Sequence, residues 1–177
     1  MEHFYLDSHC HLNDETLYIE LGSVLARARE TGVKNILVIG WDLESSKKAI
    51  EIAEANENVY AAVGFHPENL ENISEEAVLE IEKLAHHEKV MAIGEIGLDY
   101  HWFKEQADRD NQKKWFIRQI ELANKLNLPC SIHARDASGD TYQLLKEHPI
   151  HASAVLHCYS GSSEMLREFA KLGYYFG

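Results

Sequence analysis

The sequence predicts an α/β fold, a (β/α)₈ barrel of the TIM type, with the chain covering about six to seven of the eight units. Three features of the sequence predict this fold. Seven short apolar runs alternate with longer amphipathic segments, and the first residues of successive runs lie 20 to 40 positions apart. Histidine or carboxylate side chains follow five of these runs. Parallel strands need crossovers of about this length, and such folds carry their functional residues at the carboxyl ends of the strands.

The apolar runs are expected to form buried parallel strands because several of them are rich in valine and isoleucine. They comprise Phe4–Leu6, Asn35–Gly40, Val59–Val63, Val90–Ile93, Cys130–Ile132, Ala154–Leu156 and Tyr174–Phe176. This pattern is also compatible with an open doubly wound sheet. We expect the barrel, with the chain ending inside its seventh strand and the rest of strand 7 and all of unit 8 missing.

The amphipathic segments between the runs predict helices. Four of them carry apolar residues at helical spacing, around positions 21–28, 77–85, 116–123 and 165–169. Ser74 and Ser162 are suited to be N-caps of the second and fourth of these helices. Gly32 and Gly173 are placed to end the first and the last.

Length and composition indicate a single barrel domain over residues 1–177. The chain is 45% apolar, carries a formal net charge of −12 and has no apolar run approaching the ~20 residues of a membrane span. The negative charge argues against charge-driven binding to nucleic acid or membranes, although metal ions could still hold a polyanionic substrate. Three cysteines without framework spacing, and a start that lacks a signal sequence, predict a cytoplasmic protein.

Residues that bind metals or transfer protons recur after the apolar runs. The stretches are DSHCH at 7–11, GFHP at 64–67, GEIGLDY at 94–100, HARD at 133–136 and HCYSG at 157–161. The carboxyl ends of parallel strands meet at one edge of the sheet, so these side chains are expected to converge there. The convergence of histidines with a carboxylate predicts a metal site.

His9 and His11 are two residues apart in an extended segment, so both side chains can point to the same side. Glu95 follows an apolar strand, where an unpaired carboxylate would be costly to bury. We expect Glu95 to bridge two metal ions about 3.5–4 Å apart, a separation typical of two-metal hydrolytic sites. His9 and His11 would bind one ion, and His133 and His157 the other.

Other histidines and the three cysteines are assigned ordinary structural positions. His86 and His87 are expected at a helix end, and His148 and His151 in a loop around Pro149. His3 is given no role. The cysteines are expected to pack in the structure rather than to bind metal. They are Cys10, Cys130 and Cys158.

Taken together, these motifs resemble the TatD family of metal-dependent deoxyribonucleases. The matching stretches are DSHCHL at 7–12, GFHPE at 64–68, GEIGLDYHW at 94–102, IHARDA at 132–137 and HCYSGS at 157–162. They occur in the family's order and extend along the whole chain. The resemblance implies a (β/α)₈ barrel, a site for two divalent metal ions and hydrolysis of phosphodiester bonds in DNA, often from the 3′ end.

The resemblance also implies roles for individual residues. His9, His11, Glu95, His133 and His157 resemble the family's metal ligands. Glu95 is also expected to take part in catalysis, as is His66, which resembles a histidine near the scissile phosphate. Arg135 could bind phosphate through its guanidinium group, or pair with the neighbouring Asp136. Asp99 and Tyr100 are expected to organise the loop after Glu95.

The resemblance implies DNA as the substrate, single-stranded or at its 3′ ends. Segment 101–115 mixes aromatic and basic residues, which could contact single-stranded DNA or simply form a solvated helix face. The metal could be Mg, Mn or Zn, because imidazoles suit transition metals and phosphate chemistry often uses magnesium. No membrane partner is expected.

Relatives carry one further metal-binding Asp after the eighth strand, usually in a Glu-Thr-Asp motif, and this motif does not occur in the 177 residues. We expect the missing ligand to reduce catalysis. Two alternatives therefore remain. One is a barrel metallohydrolase of the amidohydrolase type, although many of those bridge their metals with a modified lysine where this chain has Glu95. The other is a metal-binding fragment without turnover.

Overall fold

A computed structural model describes residues 4–177, so His3 lies outside the described residues. Within residues 4–177, seven strands form one parallel sheet in which each strand pairs with its neighbours in chain order. The sheet is curled into a partial barrel. The strands are β1 Tyr5–Cys10, β2 Val33–Ile39, β3 Val59–Val63, β4 Val90–Asp99, β5 Cys130–Arg135, β6 Ala154–Leu156 and β7 Tyr175–Phe176. The predicted α/β barrel architecture is confirmed.

In the part of the chain that the structure describes, seven α-helices and one 3₁₀ turn connect these strands. The helices are α1 Glu15–Tyr18, α2 Leu21–Glu30, α3 Leu43–Glu54, α4 Glu75–Ala85, α5 Gln106–Leu126, α6 Ser138–Glu147 and α7 Ser163–Lys171, and the turn is Leu70–Asn72. Ser74 and Ser162 cap α4 and α7 through their side chains, as predicted. Gly32 and Gly173 follow α2 and α7 with positive φ angles, a conformation that glycine adopts without strain.

Strands β4 and β5 continue beyond the apolar runs that predict them. The apolar pattern of β4 is interrupted at Gly94, yet pairing with β5 continues, with Gly97 opposite His133 and Asp99 opposite Arg135. The polar motifs therefore lie largely inside these strands rather than in the loops after them. Backbone pairing holds His133 more rigidly than a loop would, and Glu95, which lies in a shift of the register, is held by the hydrogen bond from its backbone N–H to the carbonyl oxygen of Gly40.

Two buried glutamines of α5 hold the ends of β3 and β4. The Gln119 side chain accepts a hydrogen bond from the backbone N–H of Phe65 at 2.7 Å and donates to its carbonyl oxygen at 3.1 Å. Gln112 makes the same pair of contacts with the backbone of Asp99, at 2.9 and 3.0 Å. Because both amides satisfy buried backbone groups, α5 fixes the two strand ends that lead into the polar edge.

The two ends of the curled sheet differ in chemistry. Near the amino ends of the strands, an apolar cavity of about 390 Å³ is lined by residues that include Leu6, Leu37, Tyr60, Met91 and Val155. The carboxyl ends carry the histidines and carboxylates. Among residues 4–177, no helix has the length and apolar composition needed to cross a membrane.

Candidate metal centre

The carboxylate of Glu95 lies at the centre of the polar edge and is only 3% exposed. Its Oε2 atom faces the Nε2 atoms of His9 at 3.3 Å and of His11 at 3.6 Å. The Nε2 atoms of these two rings are themselves 3.3 Å apart. The sequence prediction that His9 and His11 point together is confirmed.

The other oxygen of Glu95 faces a second set of imidazoles. Oε1 lies 2.5 Å from Nε2 of His157, 2.9 Å from Nδ1 of His133 and 3.6 Å from Nε2 of His66. Nδ1 of His133 and Nε2 of His157 are 3.3 Å apart. One carboxylate thus has two imidazoles on one oxygen and three on the other.

Hydrogen bonds to the outer nitrogens set the tautomers of two of these rings. Nδ1 of His11 donates to the carbonyl oxygen of Ile39 at 3.2 Å, and Nε2 of His133 donates to the Asp99 carboxylate at 2.9 Å. In the neutral rings, the nitrogens that face Glu95 are therefore unprotonated and can bind a metal ion. Nδ1 of His9 is likewise engaged, 2.9 Å from Oγ of the buried Ser131.

The His66 ring is oriented the other way, with its protonated nitrogen toward the centre. Its Nδ1 accepts a hydrogen bond from the backbone N–H of Glu68 at 3.1 Å, so the proton of the neutral ring resides on Nε2. Burial lowers the pKa of His66 to about 4, which keeps the ring neutral near neutral pH. His66 therefore presents an N–H donor to the centre, whereas His11 and His133 present lone pairs.

The carboxylate and the imidazoles of the centre shift one another's pKa values. Burial alone would raise the pKa of Glu95, but its close polar contacts with the ring nitrogens of His133, His157 and His9 lower that pKa well below its usual range. Burial lowers the pKa of His11. Burial acts in the same direction on His133, but the hydrogen bonds and negative charges of Glu95 and Asp99 outweigh it and raise the pKa of that ring. Glu95 is therefore ionised.

The donor set fits divalent metal ions. Potential ligand atoms lie within 4.8 Å of one another in two groups that share Glu95, and the groups are His9, His11 and Glu95, and His66, Glu95 and His133. His157 lies beside the second group, close to both Glu95 and His133. A metal site needs an ionised carboxylate together with unprotonated ring nitrogens. It also needs hydrogen-bond partners that fix the opposite nitrogen of each ring, and this centre has both.

Arg135 is paired with two carboxylates, neither of which belongs to Asp136. Its Nε donates to Asp99 and its Nη2 donates to Glu68, both at 2.6 Å. Asp136 instead lies 3.2 Å from Nδ1 of His101. The suggested pairing of Arg135 with Asp136 is therefore wrong, because the register of β4 and β5 places Arg135 opposite Asp99. Phosphate binding by Arg135 stays a prediction.

Segment 101–115 is less available for DNA than its composition suggests. Trp115 is buried, and Lys113 pairs with Asp140 at 2.6 Å. Lys104 donates to the carbonyl oxygen of Tyr100 at 2.7 Å. Trp102 remains exposed, with the Arg135 guanidinium 5.8 Å from its ring.

The four histidines that were expected at a helix end or in a loop, and two of the cysteines, lie where the sequence predicts. His86 ends α4, and His148 ends α6. Cys130 is buried, and Cys10 packs with its sulfur 3.5 Å from the carbonyl oxygen of Leu37. Cys158 is exposed, so the packing prediction is wrong for this residue, which follows His157 in the loop after β6.

Trp41 is a site residue that sequence reasoning missed. It follows Gly40 at the end of β2, and its ring lies 5.3 Å from that of His11 in an edge-on arrangement. A cleft of about 410 Å³ beside the metal centre is lined by Trp41 together with His11, Asp14, Leu17, His66, Asn69 and Glu95. The only indication in the sequence was its position, because Trp41 is an aromatic residue directly after an apolar run.

Comparison with known proteins gives a consistent result. The model of the family described as TatD related DNase matches residues 6–177. The chain is 43% identical over 170 residues to the uncharacterized metal-dependent hydrolase YabD of Bacillus subtilis (strain 168), covering 96% of this chain and 66% of YabD. It is 36% identical over 159 residues to the 3′-5′ ssDNA/RNA exonuclease TatD of Cronobacter sakazakii, covering 87% of this chain and 58% of that protein.

Solved structures confirm the fold. The crystal structure of YjjV, a TatD homologue from Escherichia coli K12, superposes with a TM-score of 0.91 at 31% identity, covering 98% of this chain and 67% of that one. The chain spans about two thirds of the length of the curated relatives that it matches.

Proposed function

The chain belongs to the family of TatD related DNases, and from this membership and the site we propose that the protein is a divalent-metal-dependent hydrolase that cleaves phosphodiester bonds in DNA. The observation that carries the proposal is the set of five imidazoles around the buried carboxylate of Glu95. The relative from Cronobacter sakazakii, named a 3′-5′ ssDNA/RNA exonuclease, supports single-stranded DNA or DNA 3′ ends as the substrate and 3′-5′ as the direction.

We assign two divalent ions to the site, with Mg, Mn and Zn as candidates. His9, His11 and Glu95 would hold one ion, and His133, His157 and Glu95 would hold the other. A carboxylate shared in this way offsets the repulsion between two nearby dications. Bound ions would supply an acidified water molecule and positive charge for the phosphate oxygens.

The chain's own residues orient the substrate in this proposal. His66 presents its Nε2–H toward the centre, where it can donate a hydrogen bond to a phosphate oxygen of the scissile bond. A neutral donor is suited to this role because it does not compete as a ligand. Arg135 contacts Asp99, and its side chain is 39% exposed. Its guanidinium could therefore reach a second phosphate.

The proposal is tested by incubating 5′-labelled single-stranded oligonucleotides with the protein and Mg²⁺ or Mn²⁺. We expect stepwise shortening from the 3′ end, abolished by a chelator. His157→Ala should reduce the rate far more than His86→Ala, because His86 lies at the end of α4 away from the centre. Equal losses from the two substitutions would contradict the site.

Parallel assays separate the alternatives. A panel of amides and carboxylic esters tests the amidohydrolase type of reaction, and metal analysis of the purified protein tests the site itself. Metal binding without hydrolysis of any substrate would support a metal-binding fragment without turnover and would contradict the proposed nuclease. A cytoplasmic location stays a prediction from the cysteine content.

A further inference from the structure

The cleft beside the metal centre has a chemical character that the phosphodiester reaction leaves unexplained. Its volume of about 410 Å³ lies next to Glu95 and His66, and its walls include the Trp41 ring and the side chain of Leu17. Leu17 is 40% exposed, although it is a large apolar residue. A cleft with apolar walls beside a polar centre suggests a ligand with one apolar and one charged end.

Charge indicates which part of a substrate fits this cleft. Its described lining residues contain Asp14 and no lysine or arginine. A phosphate would therefore be repelled there, whereas a flat uncharged ring would be accepted. The metal centre on the other side of the cleft is the place for the phosphate.

Trp41 is held in a fixed position relative to the centre. Its backbone N–H donates to Oγ of Ser45 at 2.8 Å, and its carbonyl oxygen accepts from the backbone N–H of His66 at 2.9 Å. The preceding Gly40 accepts from the backbone N–H of Glu95 at 2.7 Å. Its backbone is thus tied directly to that of His66 and, through Gly40, to that of Glu95, and the edge-on contact of its ring with the His11 ring at 5.3 Å places the ring beside the centre.

We propose that this cleft binds the nucleobase attached to the phosphate that faces the metal centre, with Trp41 as the stacking surface. The inference rests on the proposed nuclease function and adds a base-recognition subsite to it. Stacking accepts every base because each has a flat π-face, so Trp41 makes the protein selective for nucleotides over other phosphate esters. Asn69, which also lines the cleft, offers an amide to the edge of the base.

The test compares two ligands that differ only in the base, thymidine 5′-monophosphate and 2-deoxyribose 5-phosphate. Their affinities are measured by calorimetric titration in the presence of Mn²⁺. We expect the base to tighten binding about 5- to 140-fold in the wild type, the range that one stacked base contributes. Trp41→Ala should remove this difference while leaving the affinity for deoxyribose 5-phosphate unchanged.

Two further variants keep the result interpretable. Trp41→Phe retains an aromatic face and should keep most of the difference, which separates stacking from a general loss of structure. Leu79→Ala removes an exposed apolar side chain on α4 and should change neither affinity. An unchanged ratio of affinities in Trp41→Ala, or equal binding of both ligands by the wild type, would overturn the proposal.

Failure of the subsite and failure of the nuclease function give different results. If DNA is hydrolysed but the base adds no affinity, the subsite is wrong and the nuclease stands. If a Trp41-dependent preference for the base exists but no phosphodiester is cleaved, the subsite stands as a nucleotide-binding site and the nuclease is wrong.

Discussion

The Asp99 carboxylate accepts a hydrogen bond from Nε2–H of His133 at 2.9 Å while the opposite nitrogen of the same ring faces Glu95 at 2.9 Å. Asp99 is fully buried and also accepts hydrogen bonds from the backbone N–H groups of His101 and Trp102. Asp99 therefore has a more specific place than the loop-organising role that the sequence suggested. By accepting the hydrogen bond from Nε2–H, Asp99 leaves Nδ1 of His133 unprotonated and able to bind a metal ion.

Replacing Asp99 by Asn should weaken metal binding at the Glu95 centre by about 10- to 100-fold, the usual effect of losing a carboxylate behind a metal-bound histidine. Oδ2 of Asp99 accepts from His133 and Arg135, and Oδ1 accepts from two backbone N–H groups, so an amide would have to turn its NH₂ group toward one of these two sets of donors. Equilibrium dialysis against Mn²⁺ or Zn²⁺ measures the change.

Asp136→Asn is the matched control, because Asp136 is an exposed carboxylate that contacts His101 outside the centre. Its metal affinity should equal that of the wild type. Equal affinity in Asp99→Asn would show that His133 does not depend on Asp99 for its orientation.

Replacing Glu95 by Gln should lower metal occupancy at both halves of the centre, because each carboxylate oxygen faces a different set of imidazoles. Gln keeps the shape of the side chain but removes its negative charge. Metal content after dialysis is measured by inductively coupled plasma mass spectrometry. Loss of one ion with full retention of the other would show that Glu95 serves a single site rather than bridging two.

Much of the fold and of the metal centre could be predicted because those features depend on local patterns. Strands β3 and β6 coincide with the apolar runs that predict them. The grouping of His9, Glu95 and His133 follows from one rule, that carboxyl ends of parallel strands meet at one edge. For these three residues, the residue type and the position along the strand were sufficient to predict that their side chains meet.

The missed features depend on which residues meet across the sheet. The pairing of Arg135 with Asp99 follows from the register between β4 and β5, which no local pattern encodes. Gln119 resembles an ordinary polar helix residue until α5 packs against the end of β3. Ser131 lies inside an apolar strand, and its contact with His9 requires β1 and β5 to face each other across the curled sheet.

Replacing Gln119 by Leu should lower the free energy of unfolding by about 1–3 kcal/mol, because it leaves the buried N–H and C=O groups of Phe65 without their partners. Urea denaturation followed by circular dichroism measures the loss. Gln143→Leu is the control, since Gln143 is an exposed residue of α6 whose amide reaches only Glu147. Comparable effects of the two substitutions would contradict a supporting role of Gln119 for the strand end before His66.

Asp140 should make stability depend on pH in the acid range. Its carboxylate accepts hydrogen bonds from Lys113 at 2.6 Å and from the Tyr100 hydroxyl at 2.8 Å, and the Lys113 ammonium lowers its pKa below the usual value. Between the unfolded-state pKa of about 4 and the lower folded-state pKa, the unfolded chain binds more protons than the folded one. The stabilisation by Asp140 is therefore complete above about pH 4 and is lost as the pH falls through the folded-state value.

We expect Asp140→Asn to be less stable than the wild type at pH 7, and the difference between the two proteins to shrink as the pH falls below about 4. The Asp140 side chain is 44% exposed, so solvent screening keeps this difference below about 1 kcal/mol. Urea titrations of both proteins at pH 7 and at several acid values measure it. Lys113→Met should reproduce the loss at pH 7, because it removes the charge that lowers the Asp140 pKa. A difference between Asp140→Asn and the wild type that stays constant down to the lowest pH would show that Asp140 acts through packing rather than through its charge.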